Sequence, residues 1–166
     1  MTISHTAYAT VDAPTPDIDL ESWLFGLSDD EYRACARGHH GAGTFIDEKG
    51  RGMVNTESVG GNLIIQHYRV VRAEKSFVEM YSAASRIYLF HLIPVIGAVR
   101  WTLTTTPTSA TSSTFACSVE VILPPVLAVL ARTIVLGLFI RRHCEEETVL
   151  FAADIMRKLR KLQASA

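Results

Sequence analysis

Residues 123–162 read LPPVLAVLARTIVLGLFIRRHCEEETVLFAADIMRKLRKL, and this stretch decides the fold. After Pro124 and Pro125 no proline interrupts it, and Gly137 is its strongest break. Residues 126–140 are almost wholly apolar. Beyond them Arg141, Arg142, Glu145, Glu146 and Glu147 are set against Val149, Leu150, Phe151, Ile155, Met156 and Leu159. Proline fits a first helical turn, where its missing N–H would have no partner. The stretch therefore predicts one long helix from near Pro124 or Pro125 to near Leu162. Its apolar half needs a surface to bury against. A rival reading takes residues 121–140 as a bilayer span, for which the length suffices. Arg132 at its middle opposes that, because a mid-bilayer charge costs about 2.5–3.5 kcal/mol. A helix laid on a sheet is the preferred reading, and no membrane span is expected.

At 166 residues the chain is sized for one domain with a substantial core. The formal net charge is −1 and no basic stripe interleaves with aromatics, so no nucleic-acid partner is expected. Cys35, Cys117 and Cys144 are odd in number and far apart. They form neither a disulfide framework nor a zinc motif, and they suit a reducing compartment. The first residues lack a basic and then apolar signal pattern, so the cytoplasm is the default expectation.

Residues 1–16 are small, polar and punctuated by Pro14 and Pro16, which predicts a flexible end or an edge segment ahead of a single domain over 17–166. Leu20, Trp23, Leu24 and Leu27 mark a short amphipathic helix with an acidic first turn. Ser28-Asp29-Asp30-Glu31 reads as a turn or as the N-cap of a second helix. Short β-like runs follow at 40–46, 52–59, 62–71, 76–82, 98–106 and 113–123, separated by turn signals such as Asp47-Glu48-Lys49-Gly50. In the last hairpin Trp101, Leu103, Phe115, Cys117, Val119 and Val121 alternate with polar residues, as in a sheet wetted on one side. Residues 86–97 are apolar but broken by Pro94, which suits a loop or an irregular strand.

Short helix, about six antiparallel strands and a long C-terminal helix make an α+β order. It resembles the helix-grip fold of the START/polyketide-cyclase (SRPBCC) superfamily, which includes the birch pollen allergens and lipid-transfer domains. Residues 23–32, 37–44 and 60–68 are also similar to stretches in uncharacterised members. The resemblance implies a curved sheet wrapped around the last helix, enclosing an apolar cavity. It constrains a reaction only weakly.

Nucleotide-binding glycine motifs, His-Glu-x-x-His, Cys-x-x-Cys and the Gly-x-Ser-x-Gly elbow are all missing from the sequence. Among the remaining candidates, Asn55 and Glu57 share a strand face with Met53 and Val59. If that face is inward, Glu57 is a buried carboxylate with a raised pKa, suited to general acid–base work; the opposite assignment leaves it solvated. His67 would complete an acid–base pair with it, although periodicity does not choose a side for His67. Tyr81, Tyr88, Phe90, Trp101 and Phe115 could line a pocket or serve as plain core. His91 would guard its entrance. Of His39 and His40 at most one faces inward, because adjacent strand residues point oppositely; His40 is taken as the ligand-side candidate. His143 and Glu147, four apart on the helix, read as an exposed pair.

These residues predict a protein that holds a hydrophobic small molecule. The resemblance implies a cofactor-free cyclase, dehydratase or isomerase in which Glu57 and His67 move a proton and Asn55 polarises a carbonyl. A non-catalytic carrier of a lipid-like or aromatic ligand is the second expectation. No metal or cofactor is expected, and the apolar half of the helix could bury against a second copy.

Overall fold

The structure, a computed structural model, describes residues 1–124 and 136–164. Its strands are β1 (Thr2–Val11), β2 (His39–Asp47), β3 (Gly50–Val59), β4 (Asn62–Glu74), β5 (Phe77–Leu89), β6 (Ile93–Pro107) and β7 (Ser113–Ile122). All pair antiparallel in the order β1-β7-β6-β5-β4-β3-β2. The helices are α1 (Leu20–Phe25), α2 (Asp29–Ala34) and α3 (Leu136–Ala164). This is the expected α+β helix-grip arrangement, with seven strands instead of about six.

The additional strand comes from the first sixteen residues, which take the second of the two forms expected of them, an edge segment. Thr2–Val11 is an edge strand, in register with β7 from Thr2 opposite Ile122 to Val11 opposite Ser113. Its threonines and tyrosine favour extended backbone, and burying only Ala7 and Val11 kept its apolar signal faint. The stretch 86–97 is also more regular than expected. Leu89 ends β5, Phe90 and His91 turn with φ of 52° and 61°, and β6 begins at Ile93.

Both short helices are capped from the side. Asp19 accepts the Ser22 N–H at 2.9 Å, and Ser28 and Glu31 form a reciprocal capping box that starts α2. α3 packs chiefly on β1, with further contacts to β7 and β3. Ile140, Cys144, Phe151 and Ile155 recur at helical spacing on its buried face. Of the expected helix start, Pro124 lies in no helix and Pro125 is outside the described residues. Val121 and Ile122 belong to β7, which removes them from the rival span over 121–140. Among the described residues no helix is long and apolar enough to cross a membrane.

Candidate functional site

The inner face of the sheet is set by strand alternation. In β3 it carries Met53, Asn55, Glu57 and Val59, and in β4 Asn62, Ile64, Gln66 and Tyr68, all buried. Glu57 lies opposite Ile64 and Asn55 opposite Gln66. In β2 the register slips between His39 and Gly41, so that His39 opposes Glu57 and His40 is the extra residue. This bulge sends His39 inward and leaves His40 exposed, bonded to the Ser58 hydroxyl at 2.7 Å.

Four ionisable side chains meet where this face touches α3. His143 Nε2 lies 2.7 Å from Glu57 Oε2 and 3.3 Å from Glu147 Oε2, and His39 Nε2 lies 3.3 Å from Glu147 Oε2. His39 and the two glutamates are buried, and the His143 side chain is 11% exposed. His39 Nδ1 faces the Tyr32 carbonyl at 2.8 Å, which can only accept, so this nitrogen carries a proton. The Tyr32 ring stacks on His39 with centroids 4.0 Å apart. Asn55 Nδ2 donates to the Tyr32 hydroxyl at 2.8 Å and to Glu57 Oε1 at 3.3 Å. The Cys117 thiol donates to Glu147 Oε1 at 3.2 Å and accepts from the Trp101 indole at 3.2 Å.

The electrostatics follow from this packing. Burial pulls the His143 imidazole down, but the Glu147 and Glu57 carboxylates outweigh it and hold the ring protonated up to about 11. Burial likewise disfavours charge on His39, and Glu147 overcomes it, raising the pKa. Burial pushes both carboxyls up. His143 draws Glu57 back below its ordinary value, and His143 with His39 draws Glu147 to about 2. Two imidazoles drawn toward the charged form and two carboxyls held toward the ionised form oppose one another in an apolar surround.

Beside the cluster lies a small pocket of about 30 Å³. Glu57, His143 and Glu147 form its polar wall, with Ile64, Tyr68, Val99 and Trp101 among its other lining residues. Asn55 and Gln66 also line it, and each keeps a buried side-chain oxygen without a hydrogen-bond partner among the described residues. The volume is room for roughly one water molecule.

Of the residues expected from sequence, Glu57, Asn55 and Trp101 belong to this site. Asn55 spends its amide N–H groups on Tyr32 and Glu57, so it positions Glu57 instead of polarising a carbonyl. Phe115 is fully buried core, edge-on to Trp23. His67 is corrected: it opposes Val54 in the β3–β4 register and is exposed on the outer face, away from Glu57. Tyr81 lies in the same outer groove as His67, beneath the Arg100 guanidinium. Phe90 and His91 are exposed at the β5–β6 turn, and Tyr88 is half-buried in β5. His143 and Glu147 are not the exposed pair expected. Glu147 falls between Cys144 and Phe151 on the apolar stripe of α3, and that placement was the signal available in the sequence.

Neither a protein-family model nor a curated protein sequence matches the chain. Solved structures do. The Zhui aromatase/cyclase from Streptomyces sp. R1128 superposes with a TM-score of 0.64 at 12% identity, covering 98% of both chains. A norcoclaurine synthase point mutant from Thalictrum flavum gives 0.58 at 12%, covering 98% of this chain and 97% of its own. A START superfamily protein from Mycobacterium smegmatis gives 0.53 at 14%, covering 96% and 99%. At these identities the likeness establishes the fold and leaves the chemistry to the side chains.

Proposed function

This chain carries the helix-grip fold of the START/polyketide-cyclase superfamily, and from that premise we propose that it is an enzyme moving a proton on a small molecule with an apolar body. The observation that carries the reading is the Glu57–His143 contact of 2.7 Å at the wall of an otherwise largely apolar cavity. A carboxylate paired with an imidazolium can take a proton from one atom of a ligand and supply one to another. Glu57 and His143 are the candidate catalytic residues; Asn55, Tyr32 and His39 position them. Tyr68 and Trp101 would pack the apolar part of the ligand and exclude water. A ligand larger than water requires α3 to move outward from the sheet. That an aromatase/cyclase and a norcoclaurine synthase share the fold supports a cyclase- or lyase-type reaction by analogy only.

A carrier without chemistry is the second reading, supported by the same apolar lining. Solvent deuterium separates the two. Incubated in D2O with an apolar metabolite extract, a proton-transfer enzyme raises the mass of its ligand by one exchanged hydrogen. Glu57→Gln should abolish the exchange while folding is retained. Binding without exchange in the wild type would leave the carrier.

A further inference from the structure

We propose that His39, Glu57, His143 and Glu147 form a binding site for a divalent first-row transition metal, zinc in the first instance. The inference goes beyond the proton-transfer reading, since it needs no organic ligand. One donor atom from each residue lies within 4.8 Å of every other. They arrive from three elements: His39 and Glu57 as directly opposed residues of β2 and β3, His143 and Glu147 one turn apart on α3.

Part of the spacing already fits a metal, and separations of up to 4.8 Å would close around one. Zinc bonds to nitrogen and carboxylate oxygen of about 2.0–2.2 Å place tetrahedral ligand atoms about 3.3–3.6 Å apart. Two of the contacts, His39–Glu147 and His143–Glu147, are 3.3 Å. The His143–Glu57 contact of 2.7 Å would open slightly around a cation. The outer groups are those of a metal centre as well. His39 Nδ1 donates to the Tyr32 carbonyl and so turns Nε2 toward the cluster. Glu57 Oε1 and Glu147 Oε1 each accept a hydrogen bond, from Asn55 and Cys117, leaving the Oε2 atoms toward the histidines.

A separate observation points the same way. His143 Nε2 is a buried atom with two carboxylate oxygens close by, yet neither lies where its N–H would point, and it makes no hydrogen bond among the described residues. With its proton displaced, that nitrogen would turn a lone pair toward the space between the oxygens, as a bound cation requires. Two carboxylates and two neutral imidazoles would neutralise a dication in this apolar setting. Mixed nitrogen and oxygen donors favour zinc and its neighbours over calcium or magnesium. The adjoining cavity has room for a water on the metal. The cation would stand where the imidazolium stands in the metal-free protein, as the positive pole facing a ligand.

The test uses the full chain, treated with chelator, dialysed and offered Zn²⁺ or Co²⁺ without any organic ligand. We expect one zinc per chain to survive gel filtration by elemental analysis, with a rise in Tm. X-ray absorption of the zinc-loaded wild type should show nitrogen and oxygen at about 2.0–2.1 Å and no sulfur at about 2.3 Å. Glu147→Gln should weaken zinc binding at least about 100-fold, while His91→Gln at the exposed turn leaves it unchanged. Wild-type protein that holds no more zinc than Glu147→Gln, or zinc bound to sulfur, overturns the site; the cluster is then an ion network alone. The absorption spectrum is read on the wild type, so it stands even if a variant fails to fold. Absence of deuterium exchange in the metal-free wild type, with zinc binding intact, would refute the proton-transfer reading and not this one.

Discussion

Glu57 of β3 and His143 of α3 touch at 2.7 Å, joining the sheet to the C-terminal helix through an ion pair within an apolar core. Each carries a second tie, Glu57 to Asn55 and His143 to Glu147, so the contact is one link in a network that spans β2, β3 and α3.

Glu147 is the node of that network, with both imidazoles on one oxygen and the Cys117 thiol on the other. Glu147→Gln leaves buried positive charge uncompensated. It should cost about 3–5 kcal/mol in urea denaturation of the metal-free protein. A loss below about 1 kcal/mol would mean that solvent reaches the cluster.

His67→Ala tests the assignment of faces. The side chain is exposed on the outer surface of β4, so the change in stability should stay within about 0.5 kcal/mol and deuterium exchange should persist. A loss of exchange matching that of Glu57→Gln would restore His67 to the site.

The β3–β4 turn fits tightly under α3. Gly60 has φ of +59°, and a Cβ there would stand 2.3 Å from Phe139 Cγ. Gly60→Ala should cost about 1–2 kcal/mol for the left-handed backbone and about 1–3 kcal/mol more for overpacking. In a Phe139→Ala background the overpacking part should shrink, because the ring atoms at 2.3 and 2.5 Å are gone while Phe139 Cβ remains at 2.7 Å, leaving a non-additive double-mutant cycle. Equal costs in both backgrounds would refute the steric contact.

Acid should release α3 from α2. The Ser28 N–H, then Lys158 at 2.9 Å and Arg157 at 2.6 Å, draw the Glu31 carboxyl from about 4.5 down to about 2. A carboxyl with a depressed folded pKa stabilises fully above its unfolded value and loses that contribution as pH falls toward the folded one. Wild-type urea midpoints should therefore drop between about pH 4.5 and pH 2. Glu31→Gln, which keeps the capping box, should be weaker at neutral pH and converge with the wild type in acid. Parallel curves would contradict this.

The sheet was legible where one face is apolar. Trp101, Leu103, Phe115 and Cys117 alternate cleanly with polar residues and are buried as the pattern requires. β1 was not, because an edge strand dominated by threonine and alanine offers little apolar contrast. The same limit governs the site. Met53 and Val59 made an inward Glu57 one of two open assignments, which burial then decides, whereas both faces of β4 are half apolar and gave no side for His67. The bulge that turns His39 inward has no period to read. Glu147 was hidden because a charged residue on a helix is expected outside, and of its partners only His143 is near in sequence, whereas His39 comes from β2 and Cys117 from β7.

On the proposed function the cluster faces a bound small molecule. Native mass spectrometry of the full chain, equilibrated with an apolar metabolite extract and desalted, tests it most directly. The wild type should carry a stoichiometric small-molecule adduct that Glu57→Gln loses or holds at least about tenfold more weakly. The bare chain mass in the wild type, or an adduct indifferent to Glu57, would contradict the claim.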